Sequence, residues 1–530
     1  MTNGSAGMMR WHPRLVEAAK ALNENRLDIA ERLLKPHLME DPFDVRAIRM
    51  LAELAARLGR LKDSEVLLRR ALEIDPNFTG ARANLAMVLG RLGRPSEALE
   101  LLDGVFEAEP DRVGHLNLKA ATLGRLGDFE QALVLYEQVL SRAPNQPRVM
   151  MSYGHMLKTV GRLEDSVAAY RDAIAINPAL GEVWWSLANL KTVEFTDEDI
   201  AAMEAALARS DLKDDDRFHV EFALGKAFHD RGRGDEAFAH YAAGNKLRRE
   251  YHPFNSDHLT QLVDRSIELF TAELLTRPGG SPAPDPIFIV GMPRAGSTLI
   301  EQILSSHSLV EGTSELPDMP AVARGRGKYP SSAVDLSEDE RRDAGEEYLK
   351  RSAVQRRTDR PFFIDKLPNN WTFVPFIQFV LPNAKIIDAR RHPLACCMSN
   401  FRQHFARGQD FTYDLGDLGR YYSDYVRLMA HMDSVMPGRV HRVVYERMVE
   451  DTEGQVRALL EYCGLEFEPS VLEFYKTERA VRTPSSEQVR QPIYTHATDE
   501  WRAYEPHLGP LKEALGTVLD AYPRAPVEYL

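Results

Sequence analysis

Five prolines in the first part of the chain, Pro42, Pro76, Pro110, Pro144 and Pro178, stand 34 residues apart, and no other feature restricts the folding so strongly. Gly59, Gly93, Gly127 and Gly161 keep the same interval. A proline lacks the N–H that a helix interior needs and disfavours helical backbone at the residue before it, so each one closes a helix. Small residues recur seven positions before each glycine, at Ala52, Ala86, Ala120 and Gly154, where they let two helices approach. Ala98 and Ala132 follow, and Tyr136 and Tyr170 fill the gap between the helices. A helical hairpin of this size cannot bury its apolar face alone and must stack on its neighbours.

The interval resembles that of the tetratricopeptide repeat, a helix-turn-helix unit of 34 residues. Clear units are expected over 45–180, with a degenerate unit at about 11–44 that ends at Pro42. Gly225, Gly232, Ala237, Tyr241 and Gly244 reproduce the same offsets in a last unit at about 218–251, and 181–217 reads as a helical interruption. The expected array is 1–276. The resemblance implies a groove that takes a protein or peptide.

At 530 residues the chain is too long for one core. Its net charge of −13, without a Lys/Arg-rich stripe, argues against a nucleic-acid partner. The three cysteines, Cys396, Cys397 and Cys463, make no disulfide framework and suit a reducing compartment. No stretch reaches the roughly 18 apolar residues that span a bilayer, and the N-terminus has no signal-like apolar segment, so the expectation is a cytoplasmic protein without membrane contact.

RPGGSPAPDP, at 277–286, reads as a linker. A different pattern follows over 287–530. Ile287 to Val290 is a short, wholly apolar strand, then comes Gly291-Met292-Pro293-Arg294-Ala295-Gly296-Ser297-Thr298, then an amphipathic helix from Leu299 to His307. Strand, glycine loop and helix N-terminus make an anion cradle from Arg294, Ala295, Gly296, Ser297 and Thr298. Gly291 and Gly296 have P-loop spacing, but Ser297 stands where a nucleoside triphosphatase requires lysine, so the cradle suits a smaller anion chain. Further apolar strands, Phe362–Asp365 and Lys385–Ala389, end at Lys366 and at Arg390-Arg391. Open α/β sheets bind ligands at such strand ends. No His/Cys cluster has metal-ligand spacing, and no metal is expected.

PIFIVGMPRAGSTLIEQILSSH resembles the 5′-phosphosulfate loop of the sulfotransferase superfamily, closest to the tyrosylprotein branch, with Ala295 and Ser297 replacing a Ser and a Thr of that pattern. The resemblance implies a helical repeat solenoid followed by a three-layer, P-loop-like α/β domain with a parallel sheet. It implies sulfuryl transfer from 3′-phosphoadenosine-5′-phosphosulfate (PAPS) to a hydroxyl, leaving PAP. Arg391 and Ser399, eight residues apart, match the 3′-phosphate pair; the adjacent Arg390 is the alternative ligand, and the spacing to Ser399 favours Arg391 and leaves Arg390 a structural or salt-bridged role. Tyr445 matches a tyrosine near that phosphate, and Ser485, in Arg482 to Val489, a hydroxyl of the segment that closes over the cofactor. Glu315, 21 residues after Arg294, matches the general base. Lys366 and Arg294 supply charge to the reacting oxygens, as phosphoryl transfer requires by analogy. His307, His392 and His404 are competing bases. The other expectation is a repeat scaffold carrying an inactive PAP-binding domain.

Overall fold

The structure is a computed structural model that describes residues 11–110, 112–313, 315–405, 408–477, 488–493 and 498–530. The chain divides into two compact units, Met1–Asn177 and Pro178–Leu530.

The first unit is a run of helical hairpins: α1 (Pro13–Asn23), α2 (Leu27–Glu40), α3 (Val45–Arg57), α4 (Leu61–Ile74), α5 (Thr79–Arg91), α6 (Pro95–Ala108), α7 (Val113–Leu126), α8 (Phe129–Arg142), α9 (Pro147–Val160) and α10 (Leu163–Ile176). Every second helix stops two residues before its proline. Each hairpin turns through one left-handed residue: Gly59, Gly93, Gly127 and Gly161 at φ 78° to 88°, and Asn25 at φ 55° in the degenerate first unit. Asn tolerates this conformation better than other residues with a Cβ. The small residue before each turn also has a visible cause. A Cβ on Gly154 would lie 2.6 Å from the Tyr170 ring.

The second unit opens with α11 (Gly181–Ala188), α12 (Asp197–Leu207), α13 (Asp214–Asp230), α14 (Gly234–Tyr251), α15 (Ser256–Leu269) and α16 (Ala272–Leu275). The segment 277–286 belongs to this unit and is tied into it, with the Ser281 N–H donating to the Val380 carbonyl at 2.8 Å. The sheet strands are β1 (Pro286–Gly291), β2 (Val310–Gly312), β3 (Phe362–Asp365), β4 (Lys385–Arg390) and β5 (Val440–Val444), all parallel, in the order β2-β3-β1-β4-β5. Between and after them run α17 (Ser297–Ser305), α18 (Asp318–Gly325), α19 (Glu338–Ser352), α20 (Val374–Val380), α21 (Pro393–Phe401), α22 (Leu415–Val435), α23 (Tyr445–Glu450), α24 (Thr452–Cys463), α25 (Gly509–Leu515) and α26 (Thr517–Ala521). All six residues of β1 are buried, so both faces of the sheet are covered, which is why the strand is apolar throughout.

Helix α17 starts at Ser297, two residues before the apolar periodicity begins, because Ser297 and Thr298 are polar yet already helical. Helix α14 is anchored to the end of α21 and to α22. Asn245 donates to the Phe401 carbonyl at 2.8 Å, and Arg249 donates to Asp417 at 3.0 Å. Among the described residues, no helix is long and apolar enough to cross a membrane.

Candidate active site

Because the strands are parallel, their carboxyl ends gather on one edge of the sheet. β1 runs into the glycine loop, β2 toward Glu315, β3 into Lys366, β4 into Arg391 and β5 into Tyr445. At this edge lies a cavity of about 260 Å³. Its floor is Arg294, Gly296, Ser297, Thr298 and Leu299, and one side is Arg391, Ser399 and Tyr445.

The loop geometry follows from its glycines. Gly291 takes φ 134° and Gly296 φ 99°, and a Cβ on Gly291 would lie 2.4 Å from the Ala389 carbonyl oxygen of β4. Gly296 leads directly into α17, whose first N–H groups have no intrahelical acceptor. Arg294 also has left-handed backbone, φ 65°, and its Nε donates to Ser399 Oγ at 3.2 Å. Arg391 donates to the Arg294 carbonyl at 3.2 Å, and its guanidinium lies 4.8 Å from the centre of the Tyr445 ring. Tyr422 holds the Arg391 carbonyl at 2.7 Å.

Arg390 turns the other way. It is 1% exposed, pairs with Asp388 at 3.0 Å and donates to the Tyr425 hydroxyl at 3.3 Å. Arg442 reaches the same Asp388 carboxylate at 2.8 Å. Burial raises the Asp388 carboxyl, but the two guanidinium groups outweigh it and hold it below the usual range.

Lys366 donates to Glu315 Oε1 at 2.7 Å, with the lysine side chain 1% exposed and the glutamate 47% exposed. Among the described residues, neither of the two lines the cavity. They stand at the ends of β3 and β2, on the opposite side of β1 from Arg391 and Tyr445. Ser485 lies outside the described residues. The three histidines considered as bases have other places. His307 is 1% exposed, and its Nδ1 accepts from the Leu309 N–H at 3.1 Å, which leaves Nε2 to donate to the Glu466 carbonyl at 2.9 Å. His392 stacks on Trp501 with ring centres 5.5 Å apart, and His404 packs among Trp185, Phe218 and Phe222.

A model of the sulfotransferase family matches residues 286–469, and tetratricopeptide-repeat models match 15–77, 55–121 and 117–180. Residues 286–469 are a sulfotransferase-family domain, and the repeats precede it. An uncharacterized protein of Aquifex aeolicus is 35% identical over 64% of this chain, which spans 46% of that protein's length. A protein of Caenorhabditis briggsae named "Putative protein-tyrosine sulfotransferase" is 23% identical over 41% of this chain and 80% of its own. Among solved structures, a thermophilic TPR protein of Thermus thermophilus is 20% identical over 33% of this chain and 95% of that one, with a TM-score of 0.30. MamA is 22% identical over 32% of this chain and 99% of its own, with a TM-score of 0.28.

The sulfotransferase domain does not line its cavity alone. The far wall comes from segments ahead of the matched one, three helices and the turn after α11, and carries Trp185, Lys191, Lys226, His229, Asp230 and Tyr241. Arg402 and Glu500 close it. Arg402 donates to Glu500 at 2.5 Å and to His229 Nε2 at 2.7 Å. The same guanidinium nitrogen lies 3.3 Å from Nδ1, and the Tyr504 hydroxyl lies 2.7 Å from Nδ1. Burial first, then Arg402, lowers His229 to about 3, so the ring is neutral. Tyr241 apart, which the repeat offsets mark as a packing residue, the sequence pattern singles out none of these wall residues. The signals present were the length of α13 and α14, 17 and 18 residues against 14 in α10, and Trp184-Trp185 in the interruption.

Proposed function

We propose that the chain is a PAPS-dependent sulfotransferase that moves a sulfuryl group to a hydroxyl acceptor, with the repeats presenting a protein or peptide. One observation carries the reading: a single cavity joins the N-terminus of α17 to Arg391, Ser399 and Tyr445. The residues suit the ligand. Among the described residues, the five cations lining the cavity, Lys191, Lys226, Arg294, Arg391 and Arg402, exceed its two carboxylates, Asp230 and Glu500. At Gly296 the loop has no room for a side chain, since a Cβ would lie 2.9 Å from the Tyr445 ring.

In this reading PAPS supplies an activated sulfuryl group on a phosphate leaving group. Backbone N–H groups at Ser297 and Thr298, with Arg294, hold the 5′ end, and Arg391 and Ser399 hold the 3′-phosphate. Glu315 takes the proton of the acceptor hydroxyl, and Lys366, oriented by Glu315, carries positive charge for the oxygens that gain charge in the transition state. Ser485 adds a donor. The three thiols are free and buried, which supports a reducing, cytoplasmic setting.

Calorimetric titration with PAP, with ATP as control, tests the reading. PAP should bind more tightly than ATP, and Arg391→Ala should weaken PAP by about 30-fold or more, as expected when one partner of a buried charged pair is lost. Absence of PAP binding, or equal binding of ATP, would instead favour a repeat scaffold.

A further inference from the structure

We infer that Lys191 and Lys226, on the wall built by the segments around α11 and α13, recognise the 3′-phosphate end of the nucleotide, so that the cofactor site is completed by helices outside the sulfotransferase domain. The inference rests on the PAPS reading given above and extends it to residues that no family match covers, since that match begins at residue 286.

The sheet order separates the reacting pair from the 3′-phosphate group. Glu315 and Lys366 lie on the β2-β3 side of β1, while Arg391, Ser399 and Tyr445 lie on the β4-β5 side. Lys191 and Lys226 line the cavity with the second group and with the α17 loop, and Lys191 is placed near the second group by its bond to Gln403, four residues after Ser399.

The charges are held in place by neighbours, of which Asp230 also lines the cavity. Lys226 forms an ion pair with Asp230, one helical turn on, with side chains only 12% and 23% exposed. Lys191 donates to Gln403 Oε1 at 3.1 Å and lies 5.5 Å from the centre of the Trp185 ring. Glu500 answers Arg402 and also feels Arg391. Arg402 is therefore committed to Glu500 and His229. A ligand with one anionic end would use only the α17 end of this cavity. A nucleotide with a second phosphate on the ribose would use both ends.

The test is titration of the full chain with PAP and with 5′-AMP, which lacks the 3′-phosphate. Replacing Lys191 and Lys226 together by Ala should weaken PAP by about tenfold or more and leave 5′-AMP unchanged, because hydrogen bonds to charged groups carry this much. The milder Lys226→Gln should show the same selective loss at smaller size, and Lys226→Arg should restore part of it. Unchanged PAP affinity, or equal weakening of both nucleotides, overturns the inference while leaving the PAPS reading intact. A wild-type protein that shows no preference for PAP sinks both.

Discussion

The hairpins α9–α10 and α13–α14 lock by the same contact. A Cβ on Gly154 would meet the Tyr170 ring at 2.6 Å, and one on Gly225 would meet the Tyr241 ring at 2.7 Å. Both turn through a left-handed glycine, Gly161 at φ 87° and Gly232 at φ 70°. They differ in what the rest of each hairpin carries. Helix α9 buries Val149, Met151 and Leu157, whereas α13 sets Lys226, His229 and Asp230 on a cavity wall and α14 buries Asn245 and Arg248. The packing plan is thus separable from the use, and a repeat-like hairpin can serve as one wall of the cavity at the carboxyl edge of the sheet.

The widest separation between the two hairpins should come from Arg402→Ala, which leaves Glu500 without its main partner. A loss of about 3 kcal/mol in the stability of the second unit is expected, read by denaturant unfolding, together with weaker PAP binding. A smaller contrast comes from Gly154→Val and Gly225→Val. Each should cost about 1–3 kcal/mol by overpacking. Only Gly225→Val should also reduce PAP affinity, and equal effects on PAP would break the comparison.

The finest contrast is in pH. Burial lowers His155, in α9, to about 4, and burial with Arg402 lowers His229 to about 3. In the unfolded chain both titrate near 6.5, so below that value the unfolded state binds more protons. The stability from each neutral ring is complete above about pH 6.5 and is lost as pH falls toward the folded value. His229→Asn should therefore flatten the acid limb of the second unit to lower pH than His155→Asn does for the first, as unfolding followed from pH 7 to pH 3 would show.

The hairpins were legible because each boundary depends on one residue's backbone, a proline or a left-handed glycine, and the sheet because its strands are buried on both faces. The pairing of Arg390 with Asp388 also follows from local geometry, since residues two apart on a strand share a face. The cavity wall was not legible for an equally physical reason. Lys226 and His229 read as a solvated helix face, and only a partner 173 residues further on, Arg402, makes that face an interior. Lys191 depends in the same way on Gln403, 212 residues away.

Gly296, Tyr445 and Arg391 occupy one shared volume, because the ring that excludes a Cβ at 296 also lies under the guanidinium. Changes at these three positions cannot be made in any order. A methyl group at 296 pushes the ring, and the ring displaces the cation. A sequence drifting toward a larger residue at 296 would first have to shrink residue 445, and the reverse order passes through an intermediate with a strained loop.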